Sequence, residues 1–200
     1  MEERLESLRQ EIVDKSLEAF REGLFSGTSG NMSCRIAPDE MLITPTSVRY
    51  DVLRAQDIVY MKLDGTVLGG ELQPSSEWRM HAAVYKAYGE TNAVFHTHSP
   101  YATAFAVVRK SIPAVLIESC IFLGGDIRCA AYAAPGTESV GTNAIPALRD
   151  RGGCTLANHG VLAVGKDLAQ AYLRAEYIED VAKVYTFSKV LGTPVELASL

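Results

Sequence analysis

The run NAVFHTHS, residues 92–99, constrains this chain more than any other stretch. It is apolar and strand-like, yet it holds two of the four histidines in 200 residues. In a strand, residues i and i+2 project to the same face. His96 and His98 therefore point in parallel, and Thr97 points the other way. A short buried strand of this kind belongs in the middle of a fold, with helices around it.

The rest of the sequence supplies those helices. Leu5, Leu8, Ile12, Leu17 and Phe20 recur at helical intervals over residues 3–22, which predicts an amphipathic helix ending near Gly23. The segment SGTSGNMSCRI (26–36) passes from small and hydroxyl residues into alternating, strand-like sequence. MLITPTS (41–47) reads as a strand entering a turn, and DIVYMKLDGTVLGG (57–70) as a hairpin around Asp64-Gly65.

After Pro74, SSEWRMHAAVYKAYG (75–89) predicts a helix capped by Ser75 or Ser76 and followed by Gly89. YATAFAVVRK (101–110) predicts another helix, and SIPAVLIES (111–119) and DIRCAAYAA (126–134) predict strands. Residues 137–151 look helical despite Gly141 and Pro146. TLANHGVLAVG (155–165) reads as two strands meeting at Asn158-His159-Gly160, and residues 167–191 as a long helix stopped by Gly192 and Pro194. There is no internal repeat and no linker. The expectation is one α+β domain over residues 1–200.

Bulk properties exclude several functions. A formal net charge of −5 offers no basic patch for a phosphate backbone, so nucleic acid is not an expected partner. No apolar run approaches the roughly 20 residues that span a bilayer, so no membrane is expected either. The N-terminal MEERLESLRQ lacks the apolar core of a signal peptide. Cys34, Cys120, Cys129 and Cys154 form no CxxC pair, which fits reduced thiols in a cytoplasmic protein.

The paired histidines suit Zn²⁺, which binds imidazole nitrogen at about 2.0–2.1 Å and in catalytic sites keeps an open fourth position. His159, at a strand end beside a glycine, is the natural third ligand. The bland alternative is a pair of hydrogen-bonded polar side chains. His81, mid-helix in an apolar stretch, reads as a packed histidine. Glu77 opens the helix after Pro74, where the dipole alone favours a carboxylate. Three segments, SGTSGNMS (26–33), TPTS (44–47) and PSSE (74–77), offer hydroxyls and backbone N–H groups suited to an anion, although turns are rich in such residues anyway.

Taken in order, GTSGNMS, ITPTS, PSSEW, HTHS and NHG resemble the class II aldolase/adducin-head family over roughly residues 5–192. That resemblance implies α/β/α layers around a mostly antiparallel sheet. It implies His96, His98 and His159 as zinc ligands, with Mn²⁺ or Co²⁺ as alternatives. Glu77 becomes the catalytic carboxylate, ligating the metal before substrate arrives. Gly30, Asn31, Thr46, Ser47, Ser75 and Ser76 match positions that hold a substrate phosphate.

The implied activity is retro-aldol cleavage of a ketose 1-phosphate, L-fuculose 1-phosphate or a related deoxy-ketose 1-phosphate, to dihydroxyacetone phosphate and an aldehyde. The implied assembly is a C4 homotetramer with interfacial sites. Other enzymes of the superfamily, including a pentulose-phosphate 4-epimerase, a sugar-acid phosphate decarboxylase and a methylthioribulose-phosphate dehydratase, are alternatives. Cys120 and Glu77 stand where the epimerase pattern has aspartates, and the lysine of the decarboxylases has no counterpart between Lys62 and Lys86. A non-catalytic adducin-head-like interaction domain would have no need of the histidines.

Three positions depart from the fuculose-type pattern. Ile117 stands where a tyrosine supplies the acid for the aldehyde oxygen, and Tyr101, Tyr132 and Glu118 are candidates to replace it. Ser47 stands where a glycine is usual. Pro135 replaces an aromatic residue of the aldehyde pocket. The expectation is a changed aldehyde.

Overall fold

A computed structural model describes residues 2–197. Among them six α-helices surround one eight-stranded sheet. The strands are β1 (Asn31–Ala37), β2 (Glu40–Ile43), β3 (Val59–Lys62), β4 (Val67–Gly69), β5 (Ala93–Thr97), β6 (Cys129–Ala130), β7 (Gly153–Leu156) and β8 (Gly160–Gly165). They lie in the order β4-β3-β2-β1-β5-β8-β7-β6, and every neighbouring pair is antiparallel except β6–β7.

The strand that holds His96, β5, sits centrally, between β1 and β8, with all five of its residues buried. Because side chains alternate, the sheet has two apolar faces. Met32, Cys34, Leu42, Phe95, Val161 and Ala163 face one core, packed with residues of α1 (Glu2–Arg21), α3 (Pro100–Val107), α4 (Ile117–Leu123) and α6 (Leu168–Leu191). Met41, Ile43, Val59, Met61, Val94, Leu162 and Val164 face the other core, under α2 (Trp78–Ala87) and α5 (Glu138–Leu148). Helices on both faces of a mostly antiparallel sheet make the α/β/α layering that the motifs implied.

The long C-terminal helix starts where expected, with the Asp167 carboxylate accepting from Gln170 N at 2.8 Å. A cap of this type is worth about 1 kcal/mol. α5 forms with Pro146 inside it, in its last turn, with only Ala147 and Leu148 following.

Two predicted elements come out differently. SIPAVLIES is not a strand: only Ile112 bridges Ile127, and Ile117–Leu123 is helical. Pro113 has no N–H to continue a ladder past Ile112. DIRCAAYAA contributes only the two residues of β6. Neither Ser75 nor Ser76 caps α2, which begins at Trp78 with Glu77 itself in the cap position. Ser75 Oγ instead accepts from Glu77 N at 3.3 Å, bracing the residue before the helix starts.

Candidate metal centre

Four side chains converge at one end of the central strands. The β1–β5 register sets Asn31 opposite His96, and the β5–β8 register sets His96 opposite Leu162. His98 follows two residues on, just past the strand. His159 comes from the tight turn between β7 and β8, closed by its N–H to Leu156 O at 3.0 Å and by Asn158 at φ 56°. Asparagine tolerates that left-handed geometry better than most residues.

Gly160 lets this turn come close. A Cβ there would sit 2.2 Å from Thr97 O and 3.2 Å from ring atoms of both His96 and His98. Replacing Gly160 by alanine should therefore lower stability by roughly 1–3 kcal/mol, since the obstacle is backbone and cannot swing aside. For a chain of this size, thermal melting should show roughly 2–4 °C of loss per kcal/mol. An unchanged midpoint would contradict the packing described.

The donor atoms lie within 4.8 Å of one another in the set Glu77, His96, His98 and His159. His96 Nε2 is 3.0 Å from His98 Nε2 and 3.0 Å from Glu77 Oε2, while His159 Nε2 is 3.1 Å from Glu77 Oε1. His96 Nδ1 lies 2.7 Å from Val161 O, which can only accept, so the proton sits on Nδ1 and Nε2 presents its lone pair inward.

An imidazole anchored to a backbone carbonyl through its far nitrogen is how metal-bound histidines are held. Lone pairs and carboxylate oxygens packed this closely repel one another unless a cation lies between them. The donor set thus fits a divalent metal ion held by three imidazoles and one carboxylate.

Electrostatics point the same way. Burial, with further contributions from His96 and His159, pulls His98 down to about 4, so its ring is neutral and able to ligate at ordinary pH. Burial alone would push the Glu77 carboxyl up, but its interactions with His96 and His159 outweigh that and hold it well below the usual carboxylate range.

A cavity of about 360 Å³ opens onto this cluster. Its walls bring together all three hydroxyl-rich segments: Gly30 and Asn31, Thr46 and Ser47, Ser75 and Ser76, with Glu77, His98 and His159 at the floor. His96 lies fully buried behind them. Gly30 is required by packing as well as by its φ of +91°, because a Cβ would overlap the Phe25 ring at 2.4 Å and His96 O at 2.9 Å.

Thr28, Ser29, Pro45, Pro135 and Gly136 also line the cavity. Tyr101, Tyr132 and Glu118 do not line it, and Ile117 is half exposed on α4. His81 is packed and hydrogen-bonded, fully buried on α2. Its links to the cluster were not visible in the sequence, because they depend on which strand lies beneath α2.

Ser47 adopts φ 61°, in the left-handed region that costs an L-residue about 1–2 kcal/mol. Ser47→Gly should raise the melting midpoint by a few degrees, partly offset by glycine's larger unfolded-state entropy of about 0.5–1 kcal/mol. Differential scanning calorimetry would check this, and a lower midpoint would show that the serine hydroxyl contributes more than its backbone costs.

Known proteins share this arrangement of fold and sequence. The family model described as Class II Aldolase and Adducin N-terminal domain matches residues 10–186. The chain is 38% identical to the L-fuculose phosphate aldolase of Escherichia coli strain K12 over 192 residues, covering 96% of this chain and 88% of that one. It is 37% identical to the 5-deoxy-D-ribulose 1-phosphate aldolase of Bacillus thuringiensis serovar kurstaki over 191 residues, covering 95% and 89%. Among solved structures, an L-fuculose 1-phosphate aldolase superposes with a TM-score of 0.91 at 36% identity, covering 96% of this chain and 90% of that one. On sequence and on fold alike, the chain belongs to the class II aldolase and adducin N-terminal domain family.

Proposed function

We propose that this protein is a zinc-dependent lyase cleaving a ketose 1-phosphate reversibly into dihydroxyacetone phosphate and an aldehyde. The observation that carries this is the single cavity on which a three-histidine, one-carboxylate cluster and three hydroxyl-rich loops converge. A cluster alone would fit many metal sites. A hydroxyl-lined anion pocket beside it fits a phosphorylated sugar.

Each part of the chain has a task in that reaction. Gly30, Asn31, Thr46, Ser47, Ser75 and Ser76 hold the phosphate with neutral donors. His96, His98 and His159 would hold the metal, with Glu77 as a fourth ligand in the resting state. Zn²⁺ bound there, or Mn²⁺ or Co²⁺ in its place, supplies Lewis-acid polarisation of the ketose carbonyl and charge stabilisation for the enediolate. In cleavage the C4 hydroxyl passes its proton to solvent and becomes the aldehyde C=O. The C3–C4 bond breaks, the bonding pair stays with the three-carbon fragment, and the Glu77 carboxylate takes up a proton from solvent. Glu77 then delivers a proton to that enediolate carbon, and in synthesis removes it.

Pro135 in the cavity wall, and Ile117 at the position where the fuculose-type pattern has its acid tyrosine, support an altered aldehyde half. They support a related deoxy-ketose 1-phosphate as readily as L-fuculose 1-phosphate. A homotetramer with interfacial sites, located in the cytoplasm, is part of the same proposal. Val107 and Val108 at the end of α3 and Ile117 and Ile121 on α4 are more than half or about half exposed, as apolar surface awaiting a partner would be.

Incubating the purified protein with a panel of ketose 1-phosphates tests the activity. Release of dihydroxyacetone phosphate from at least one deoxy-ketose 1-phosphate is expected. Epimerisation or decarboxylation in its place, or no turnover of any of them, would overturn the proposal.

A further inference from the structure

A buried chain of side chains runs from the candidate carboxylate into the core, and its donors all point one way. Asn31 Nδ2 donates to Glu77 Oε2 at 3.1 Å, since an ionised carboxylate can only accept. Asn31 Oδ1 therefore faces His81 Nε2, 2.6 Å away, and accepts a hydrogen bond from its N–H. His81 Nδ1, 2.7 Å from Ser33 Oγ, is left as the acceptor, so the serine hydroxyl donates to it. Ser33 Oγ in turn accepts from the Tyr85 hydroxyl at 2.8 Å.

Ser33, His81 and Tyr85 are all buried, and among the described residues no carboxylate hydrogen-bonds the His81 ring. Burial, with a smaller contribution from His96, pulls His81 down to about 3, consistent with a neutral ring holding its one proton on Nε2. Hydrogen bonds aligned head to tail polarise one another.

We propose that His81, backed by Ser33 and Tyr85, is a positioning residue for proton transfer at Glu77. By donating to Oδ1 it fixes which end of the Asn31 amide faces the carboxylate. Oε2 is thereby anchored by an N–H. Oε1, whose one close neighbour among the described residues is His159 Nε2, is left as the oxygen that takes and gives the proton. An inverted amide would set a carbonyl oxygen against the carboxylate and push Glu77 out of line. This assignment rests on the aldolase reading of the site.

Two measurements test it. The ¹⁵N NMR spectrum of histidine-labelled protein should show His81 as a neutral ring protonated at Nε2 across neutral pH. The opposite tautomer would overturn the polarity of the chain. Second, exchange of the C3 hydrogen of dihydroxyacetone phosphate in D₂O reports proton transfer without any aldehyde.

His81→Phe should lower kcat for exchange about 10–100-fold, as loss of an outer-shell partner does, with KM changed far less. His81→Gln, which keeps an N–H for Asn31, should recover most of it. A merely structural role would give no such split and no rescue, and equal exchange rates for His81→Phe and wild type would sink the proposal. Should His81→Phe fail to fold, Ser33→Ala takes its place, expected to redistribute the His81 tautomer and slow exchange; no change in either would be fatal. Absence of exchange in the wild-type protein would refute the aldolase reading and the positioning role with it, while the tautomer would still decide the polarity of the chain.

Discussion

Glu77→Gln should slow cleavage by about 10²–10⁴-fold while leaving the bound metal in place. The magnitude is that of losing a positioned general acid–base. Glutamine matches glutamate in size and can still accept from Asn31 Nδ2, now 3.1 Å from Oε2. What it lacks is a carboxyl group able to take up and return a proton. The three imidazoles remain, so one divalent ion per chain should persist by elemental analysis. A variant that loses its metal would assign Glu77 mainly to holding the ion. A variant that keeps full activity would remove the carboxylate from the chemistry.

His159→Ala should act through the metal instead. Removing an outer-shell partner of a metal site costs 10–100-fold in affinity or activity, so losing a ligand itself should cost at least about 10²-fold. His96 and His98 lie on or next to one strand and could still bind an ion by themselves, but too weakly to survive dialysis. The substitution also strips Glu77 Oε1 of the partner 3.1 Å away. Equilibrium dialysis with Zn²⁺ or Co²⁺ would read the loss directly. Undiminished binding would mean that the turn at Asn158-His159-Gly160 is not part of the centre, whatever its geometry.

The sequence shows some of this design and hides the rest, for physical reasons. His96 and His98 were legible because a strand's two-residue period puts them on one face without any knowledge of neighbours. His159 was legible as a histidine beside a glycine at a strand end. The need for that glycine was not, because the obstacle is Thr97 O on another strand, 63 residues earlier in the chain (160 less 97).

The three hydroxyl-rich loops were individually indistinct, since serine, threonine and glycine populate any turn, and they became specific only as an ordered set. The helix after Pro74 was legible, but its first residue was misplaced: Ser75 hydrogen-bonds Glu77 N and does not cap the helix. SIPAVLIES misled because its apolar residues fit a strand as well as a short helix. Register decided what His81 touches. Asn31 and Ser33 share a face of β1 two residues apart, and α2 lays His81 and Tyr85 over them.

The most direct test of the account is hydrogen exchange at C3 of dihydroxyacetone phosphate in D₂O, followed by ¹H NMR before and after chelation. The metal-loaded protein should exchange one of the two C3 hydrogens, lose that activity when the metal is stripped, and regain it when Zn²⁺ is restored. Exchange that continues undiminished in the stripped protein, or that never occurs in the loaded one, would contradict the assignment of a carboxylate and three imidazoles to a single proton-transfer centre.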